Sequence, residues 1–265
     1  MFDNHTHTTF SLDSTMQAED AINSAKVLGL DGIAFTDHVD FDYPGYDDAF
    51  NFDIFKYSEF VDKLIKDYSD TLTILKGIEL GLQPHINHKN IEAAKKVDFD
   101  FIIGSVHIID HMDPYTGDYY VGKTKKDSYT RYLQAIYDGT LSFKDYDVIG
   151  HIGYIRRYGD FNDRSMNYKD YSDVIDSILK TVLHDGKGIE VNTSGLRGIL
   201  GCTMPDEGIL TRYKELGGEI ITIGSDAHNP NDVGANFNET IELLKKIGYK
   251  YTCHFVKRKP IFEKL

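Results

Sequence analysis

The chain has only two cysteines in 265 residues, Cys202 and Cys253, and they stand singly. That spacing excludes a disulfide framework and a thiolate zinc knuckle. It suits a reducing compartment, so the cytoplasm is the expected location. No apolar run approaches the ~20 residues that a bilayer-spanning helix needs. No basic-then-apolar leader follows Met1, so no membrane partner is expected. Basic residues are also in short supply: 29 Lys and Arg against 42 Asp and Glu give a formal charge of −13. Phosphate backbones are bound by neutralising them, so this balance argues against nucleic acid as a partner. Internal repeats, low-complexity tracts and linkers are missing too. With 41% hydrophobic content, residues 1–265 are enough for one large domain with a well-buried core.

What is present is a rhythm of short apolar runs and longer amphipathic ones, which predicts parallel strands joined by crossover helices. The first strand lies within Asp3–Asp13. Ser14 or Thr15 is placed to cap a helix whose Ala18, Ala21, Ile22, Ala25 and Leu28 share a stripe ending at Gly29. Further strands are expected at Gly32–Thr36, Leu72–Ile78, Phe101–Val106, Tyr146–Gly150, Gly188–Asn192 and Glu219–Gly224, with helices near Phe55–Tyr68 and Ile86–Val97. A last apolar piece, Tyr249–Val256, is expected to pack at the rim or close the barrel. An acidic, aromatic loop through Asp40, Asp42, Tyr43, Tyr46 and Phe50 is long for a plain connection.

The chemistry sits at the strand ends. On a strand alternate side chains share a face, so His5 and His7 point the same way and can grip one cation; on a helix they would diverge by ~200°. Alone the pair also fits a solvated, frayed N-terminus. It is not alone, because His38, Glu79, His107, His151, Asp226 and His228 lie at or just after strand runs, the end of a parallel α/β barrel where active sites are built. Burying that many titratable groups together is costly without cations. His85, His88, His111, His184 and His254 fall on helices, loops or the tail and read as surface residues.

The set His5-x-His7, Thr36-Asp37-His38, Gly77-Ile78-Glu79, Gly104-Ser105-Val106-His107, Gly150-His151 and Ser225-Asp226-Ala227-His228 resembles, in order and from end to end, the PHP (polymerase and histidinol phosphatase) superfamily. Within it, Val191-Asn192-Thr193-Ser194-Gly195-Leu196-Arg197 and the chain length resemble the monofunctional histidinol-phosphate phosphatases. The resemblance implies a distorted (β/α)7 TIM-like barrel with three divalent transition-metal ions, zinc, iron or manganese. It implies that one ion takes His5, His7, Glu79 and Asp226, a second His38 and His228, and a third Glu79, His107 and His151, with Glu79 bridging. Many relatives carry a histidine six residues after the claw; here that position is Asp13, a carboxylate acceptable to the same metals.

Three divalent ions against the carboxylates Asp13, Glu79 and Asp226 leave a surplus of positive charge. Such a surplus attracts a phosphate dianion and acidifies water for attack on phosphorus. Glu79, Asp226 and His228 are therefore the expected catalytic groups. Arg157, or its neighbour Arg156, and Arg197 follow the fifth and sixth strands, where a guanidinium fork can reach a phosphate; ordinary loop arginines are the plainer reading. Asp37 either orients a ligand or is structural. Amidohydrolase barrels also open with His-x-His, but they commonly use a carboxylated strand-end lysine where this chain has Glu79 and His107. A nuclease of the same superfamily and a non-catalytic metal-binding protein also compete. The expected activity is hydrolysis of L-histidinol phosphate, a small phosphate monoester, in histidine biosynthesis.

Overall fold

The alternation of apolar runs and amphipathic stretches resolves, in a computed structural model that describes residues 1–46 and 48–265, into β1 (Phe2–Thr6), α1 (Ala18–Val27), β2 (Gly32–Phe35), β3 (His38–Val39), α2 (Ile54–Tyr68), β4 (Thr73–Gly81), α3 (Asn87–Lys95), β5 (Phe101–Ser105), α4 (Lys125–Ser142), β6 (Val148–Ile149), α5 (Ser172–His184), β7 (Gly188–Asn192), α6 (Glu207–Glu215), β8 (Ile221–Gly224), α7 (Phe237–Ile247), β9 (Tyr251–Val256) and β10 (Lys259–Lys264). The parallel order is β1-β2-β4-β5-β6-β7-β8, with β3 resuming the path of β2 along β4. The ring closes where His7 N donates to the Ala227 carbonyl at 2.9 Å and Asp226 N to the His5 carbonyl at 2.8 Å. This is the α/β, distorted (β/α)7 barrel. Helices cover its outside because each has one apolar stripe: in α5, Ile175, Ile178, Leu179 and Val182 are buried.

The barrel interior is layered. Phe2, Ala34, Leu75, Phe101, Ile103 and Val148 fill the end where the strands begin, and Cys253 and Phe255 of β9 pack into that layer from below. The final apolar segment is thus one arm of an antiparallel hairpin, β9 with β10, that stoppers the end opposite the strand C-termini. The strand C-termini carry the polar layer. A register shift in β1 between Asp3 and Thr6 lets one strand serve both layers: Phe2 joins the apolar plug and His5 the polar mouth, a change of phase that strict alternation forbids.

Several local expectations need correction. Neither Ser14 nor Thr15 caps α1, which starts at Ala18 behind Gln17 with no side-chain cap. Ser14 Oγ instead accepts from Met16 N and donates to the His228 carbonyl, each at 3.3 Å. Leu28 leaves the apolar stripe and is 56% exposed, because the helix has already ended. His254 is not a surface residue: it is buried against Phe2, ring centroids 3.8 Å apart, with Nδ1 3.0 Å from Glu263 Oε1. His85, His88, His111 and His184 are exposed. No helix among the described residues is long and apolar enough to cross a membrane.

Candidate metal centre

Strand ends and the turns after them carry the polar layer. His5 comes from β1, His38 from β3, Glu79 from β4 beside it in register, and His107 follows β5. His151 and Asp226 follow β6 and β8, and both have left-handed backbones, with φ of 22° and 56°. Non-glycine residues rarely adopt that conformation, and it clusters where side chains must be aimed. Small residues make the convergence possible: a Cβ on Gly224 would strike both His5 Cβ and the Glu190 carboxylate, and one on Gly81 would strike the Asp40 carboxylate.

The claw, the bridge and Asp226 meet at one point. His5 Nε2 lies 3.3 Å from Glu79 Oε2 and 3.7 Å from Asp226 Oδ1; His7 Nε2 lies 3.8 and 3.3 Å from the same two oxygens. Both nitrogens are buried without a hydrogen-bond partner among the described residues. Ligands held tetrahedrally at about 2.0–2.1 Å from an ion sit roughly 3.3 Å apart, so these separations fit two histidines and two carboxylates around a shared cation. The second grouping has His38 Nε2 2.9 Å from Asp13 Oδ1 and His228 Nε2 3.5 Å from Asp13 Oδ2, with His7 and His228 stacked at 4.2 Å. In the third, His151 Nε2 lies 2.9 Å from Glu79 Oε1 and 3.2 Å from His107 Nε2, which is 3.5 Å from the same oxygen. Glu79 therefore turns one oxygen to each of two groupings, while Ser105 Oγ donates to Oε1 at 2.5 Å.

The other ring nitrogen decides which atom is free to bind. His5 Nδ1 is held by Glu190 Oε1 at 2.5 Å, and His38 and His107 Nδ1 both reach Asp40, at 3.1 and 2.9 Å. His228 Nδ1 donates to the Asp226 carbonyl at 3.1 Å. His7 Nδ1 donates to Ser11 Oγ at 3.1 Å, and that hydroxyl in turn donates to Asp37 at 2.7 Å. A ring whose Nδ1–H is engaged presents the Nε2 lone pair, and Nε2 is the atom that converges in all five. His151 is the exception: its Nδ1 is buried and unpartnered.

Asp40 and Glu190 hold these imidazoles from behind, and strand-end punctuation does not mark them. Glu190 is an acid inside the apolar strand Gly188–Asn192, and that contradiction is the available signal. Asp40 is hidden in an acidic loop. Glu190 also accepts from the backbone amide of His151 at 2.8 Å, so it braces the His5 ring and the turn that carries His151. Asp37 accepts from the amides and hydroxyls of Thr8 and Ser11, fixing the turn after β1 and reaching His7 only through Ser11.

Charge follows from this crowding. Burial raises the Glu79 carboxyl, but His5 and His107 outweigh it and hold the group well below the usual range; burial is likewise outweighed at Asp226 by His5, His7 and Arg157. Burial works against a proton on His38, yet Asp13 and Asp40 push it up to about 10, while His7, buried among His228, His38 and His5, falls to about 3. Asp40, although buried, is drawn down to about 2 by His107 and His38. The carboxylates thus gather positive charge that divalent cations would supply.

Above the centre opens a cavity of about 700 Å³, in the range of small-ligand sites. Asp13, His38, Glu79, His107, Asp226 and His228 form its floor, and Tyr43, Tyr46, Phe50, Tyr115, Tyr154 and Tyr158 much of its wall. Tyr43 stacks on Phe50 at 3.9 Å and donates to Asp113 Oδ2 at 2.7 Å. Arg157 lines the cavity, bonded through Nη2 to Ser194 Oγ and, at 3.0 Å, to Asp226 Oδ2, the oxygen turned away from the claw. Arg197 is anchored by the Ser225 carbonyl at 2.7 Å and Asp232 at 3.2 Å, with Nη1 buried and unpaired among the described residues. Arg156 points elsewhere: its guanidinium donates to the Arg164 carbonyl at 2.8 Å and contacts Cys202 Sγ at 3.1 Å.

The chain is similar over most of its length to known proteins. Residues 3–194 match the family model described as the PHP domain. The chain is 35% identical over 254 residues to a probable histidinol-phosphatase of Clostridium acetobutylicum, covering 94% of this chain and 95% of that protein. It is 30% identical to a histidinol-phosphatase of Lactococcus lactis, over 96% of this chain and 93% of that one. A crystal structure of histidinol phosphate phosphatase from Lactococcus lactis, complexed with zinc, L-histidinol and phosphate, superposes with a TM-score of 0.90 and 29% identity over 98% of each chain. On the matched model and the full-length similarity, the chain belongs to the PHP-domain family.

Proposed function

We propose that this protein is a metal-dependent phosphomonoesterase that hydrolyses L-histidinol phosphate to L-histidinol and phosphate in histidine biosynthesis. The observation that carries the reading is the convergence of five Nε2 atoms, each with its Nδ1 engaged, on Glu79, Asp226 and Asp13 beneath a cavity of substrate size. The relatives' activity and the ligands of the Lactococcus lactis structure point the same way.

Three ions are proposed, of zinc, iron or manganese: one held by His5, His7, Glu79 and Asp226, one by His38, His228 and Asp13, one by Glu79, His107 and His151. When bound they supply acidified water and neutralise charge on the phosphoryl group. The chain does the rest. Asp40 and Glu190 keep the imidazoles aimed, and Glu79, Asp226 and His228, the proposed catalytic groups, line the cavity where the phosphoryl group would sit. Arg157 presents its fork from the cavity wall to the phosphate oxygens, with Arg197 in support through its unpaired Nη1. Asp113, with the tyrosines around it, offers a carboxylate and aromatic faces to the amine and imidazole of the substrate. The excess of acid over base favours a small substrate over a nucleic acid, and two unpaired thiols suit the cytoplasm.

Phosphate release across a panel of monoesters, run beside metal analysis of the purified protein, tests this. Histidinol phosphate should lead in kcat/KM with close to three metals per chain. Equal values across the panel would leave only a general phosphatase, and faster cleavage of phosphodiesters would overturn the assignment.

A further inference from the structure

Outside the barrel mouth, a second group of metal-ligand side chains meets on the surface. Asp42 Oδ2 lies 2.7 Å from His85 Nε2 and 3.7 Å from His111 Nδ1, and the two imidazole rings are 4.6 Å apart, centroid to centroid. One ligand atom from each falls within 4.8 Å of the others. The three residues come from different places: the loop after β3, the short 3-10 turn Pro84–Ile86 after β4, and the turn after β5.

Two of the three are carried on backbone that disfavours them. Asp42 has φ 58° and His111 φ 59°. His111 and Asp110, φ 52°, are the two central residues of a tight turn closed by Ile109 N to the Met112 carbonyl at 3.0 Å and Met112 N to the Ile109 carbonyl at 2.9 Å. Turns with two left-handed central residues favour asparagine and glycine there. Here a histidine takes the place and its ring is delivered to Asp42. Asp110 is occupied separately by Arg131, in a two-pronged pair at 2.6 to 3.1 Å, so it does not compete for the group.

We propose that Asp42, His85 and His111 form an accessory binding site for one divalent cation of the zinc type. Two imidazoles and one carboxylate suit the zinc and copper end of the first transition row better than magnesium or calcium, which prefer oxygen. Ligand separations of 2.7 and 3.7 Å bracket the roughly 3.3 Å expected around such an ion. All three residues are exposed, so water completes the shell and the ion exchanges more readily than those of the buried centre. Its effect would be mechanical. Asp42 adjoins Tyr43, and His111 is two residues from Asp113, the pair whose hydrogen bond forms one side of the substrate cavity. An ion here would fasten together the loops that carry that wall.

The test uses the metal-loaded enzyme, desalted and then dialysed against micromolar zinc, with bound zinc counted by mass spectrometry. His85→Ala and His111→Asn are compared with wild type; asparagine tolerates the left-handed turn, so the second variant keeps the loop. Wild type should hold one more equivalent of zinc than either variant, and added zinc should slow amide exchange over residues 109–113 in wild type alone. Equal zinc counts in wild type and either variant would overturn the site and leave a hydrogen-bonded surface triad.

Discussion

Asp40 stands behind imidazoles of two ligand groupings, and Asp40→Asn tests the centre more sharply than removing a ligand. Its carboxylate accepts from His38 Nδ1 at 3.1 Å and from His107 Nδ1 at 2.9 and 3.0 Å, and it is buried. An asparagine in the same place has one acceptor oxygen and one NH2. His38 and His107 both reach Oδ2, so an amide oxygen there still accepts from both but without its charge, and the NH2 in place of Oδ1 sets a donor against His107 Nδ1, which must either turn its ring or move its proton to Nε2, the atom that should bind. A charge-assisted hydrogen bond is worth about 1.5–3 kcal/mol, or roughly tenfold to a hundredfold. The 10–100-fold loss typical when a group behind a metal ligand is removed gives the same scale. Asp40→Asn should therefore lose one ion more readily than the rest on titration with a chelator, and kcat/KM should fall by that factor. The melting temperature of the metal-free protein separates this from simple misfolding, because the variant keeps the volume and most of the contacts of the aspartate. Unchanged metal content and kcat/KM would refute the reasoning, since the two rings would then need no carboxylate behind them.

Glu79→Gln should lower metal content and turnover together while circular dichroism shows an intact barrel, because the change removes the charge that two groupings share and puts a non-ligating NH2 toward one of them; near-normal turnover would reject the bridge. Arg157→Ala should cost kcat/KM about tenfold to a hundredfold with metal retained, and Arg197→Ala less, because of the two only Arg157 lines the cavity; steady-state kinetics beside metal analysis decides, and Arg156→Ala should be nearly silent. Metal uptake should release protons. Without cations His38 stays protonated up to about 10, so binding at about pH 8 must expel that proton, and the release should fade as pH rises through 10. Calorimetry in buffers of different ionisation enthalpy measures it, and zero release at that pH would contradict the raised imidazole.

Several of the proposed ligands are conspicuous in the sequence because they sit where an apolar run stops. His107 after Phe101–Ser105 and Asp226 after Ile221–Gly224 announce themselves as polar punctuation, and parallel topology turns punctuation into proximity. The seven-stranded ring is legible for the same reason, down to β7, whose bounds match the expected run. Relations that exist only between strands are hidden. The phase change in β1 depends on how Asp3 and Thr6 pair with β2, and no periodicity in a five-residue strand reveals it. The cap expected at Ser14 fails because its hydroxyl finds the His228 carbonyl, 214 residues away, and tertiary contact outweighs local capping. His254 has the sequence context of a surface tail, when its strand is the stopper of the barrel.

The same distinction explains why Asp40 and Glu190 are inconspicuous in sequence although they hold the imidazoles of three proposed ligands. A ligand is identified by its own position, whereas a residue behind a ligand is identified by its partner. Glu190 is two positions from Asn192 on one strand, yet its carboxylate serves His5 on β1 and the amide of His151 after β6. An acid in an apolar strand costs too much to bury for packing alone, so its position already demands a strong partner; only the folded barrel says which. In a parallel barrel the ligands lie at strand ends, and their supports reach them from neighbouring strands or from across the ring. The acid inside β7 is thus better read as the support of neighbouring side chains at the barrel mouth than as an error in the strand assignment.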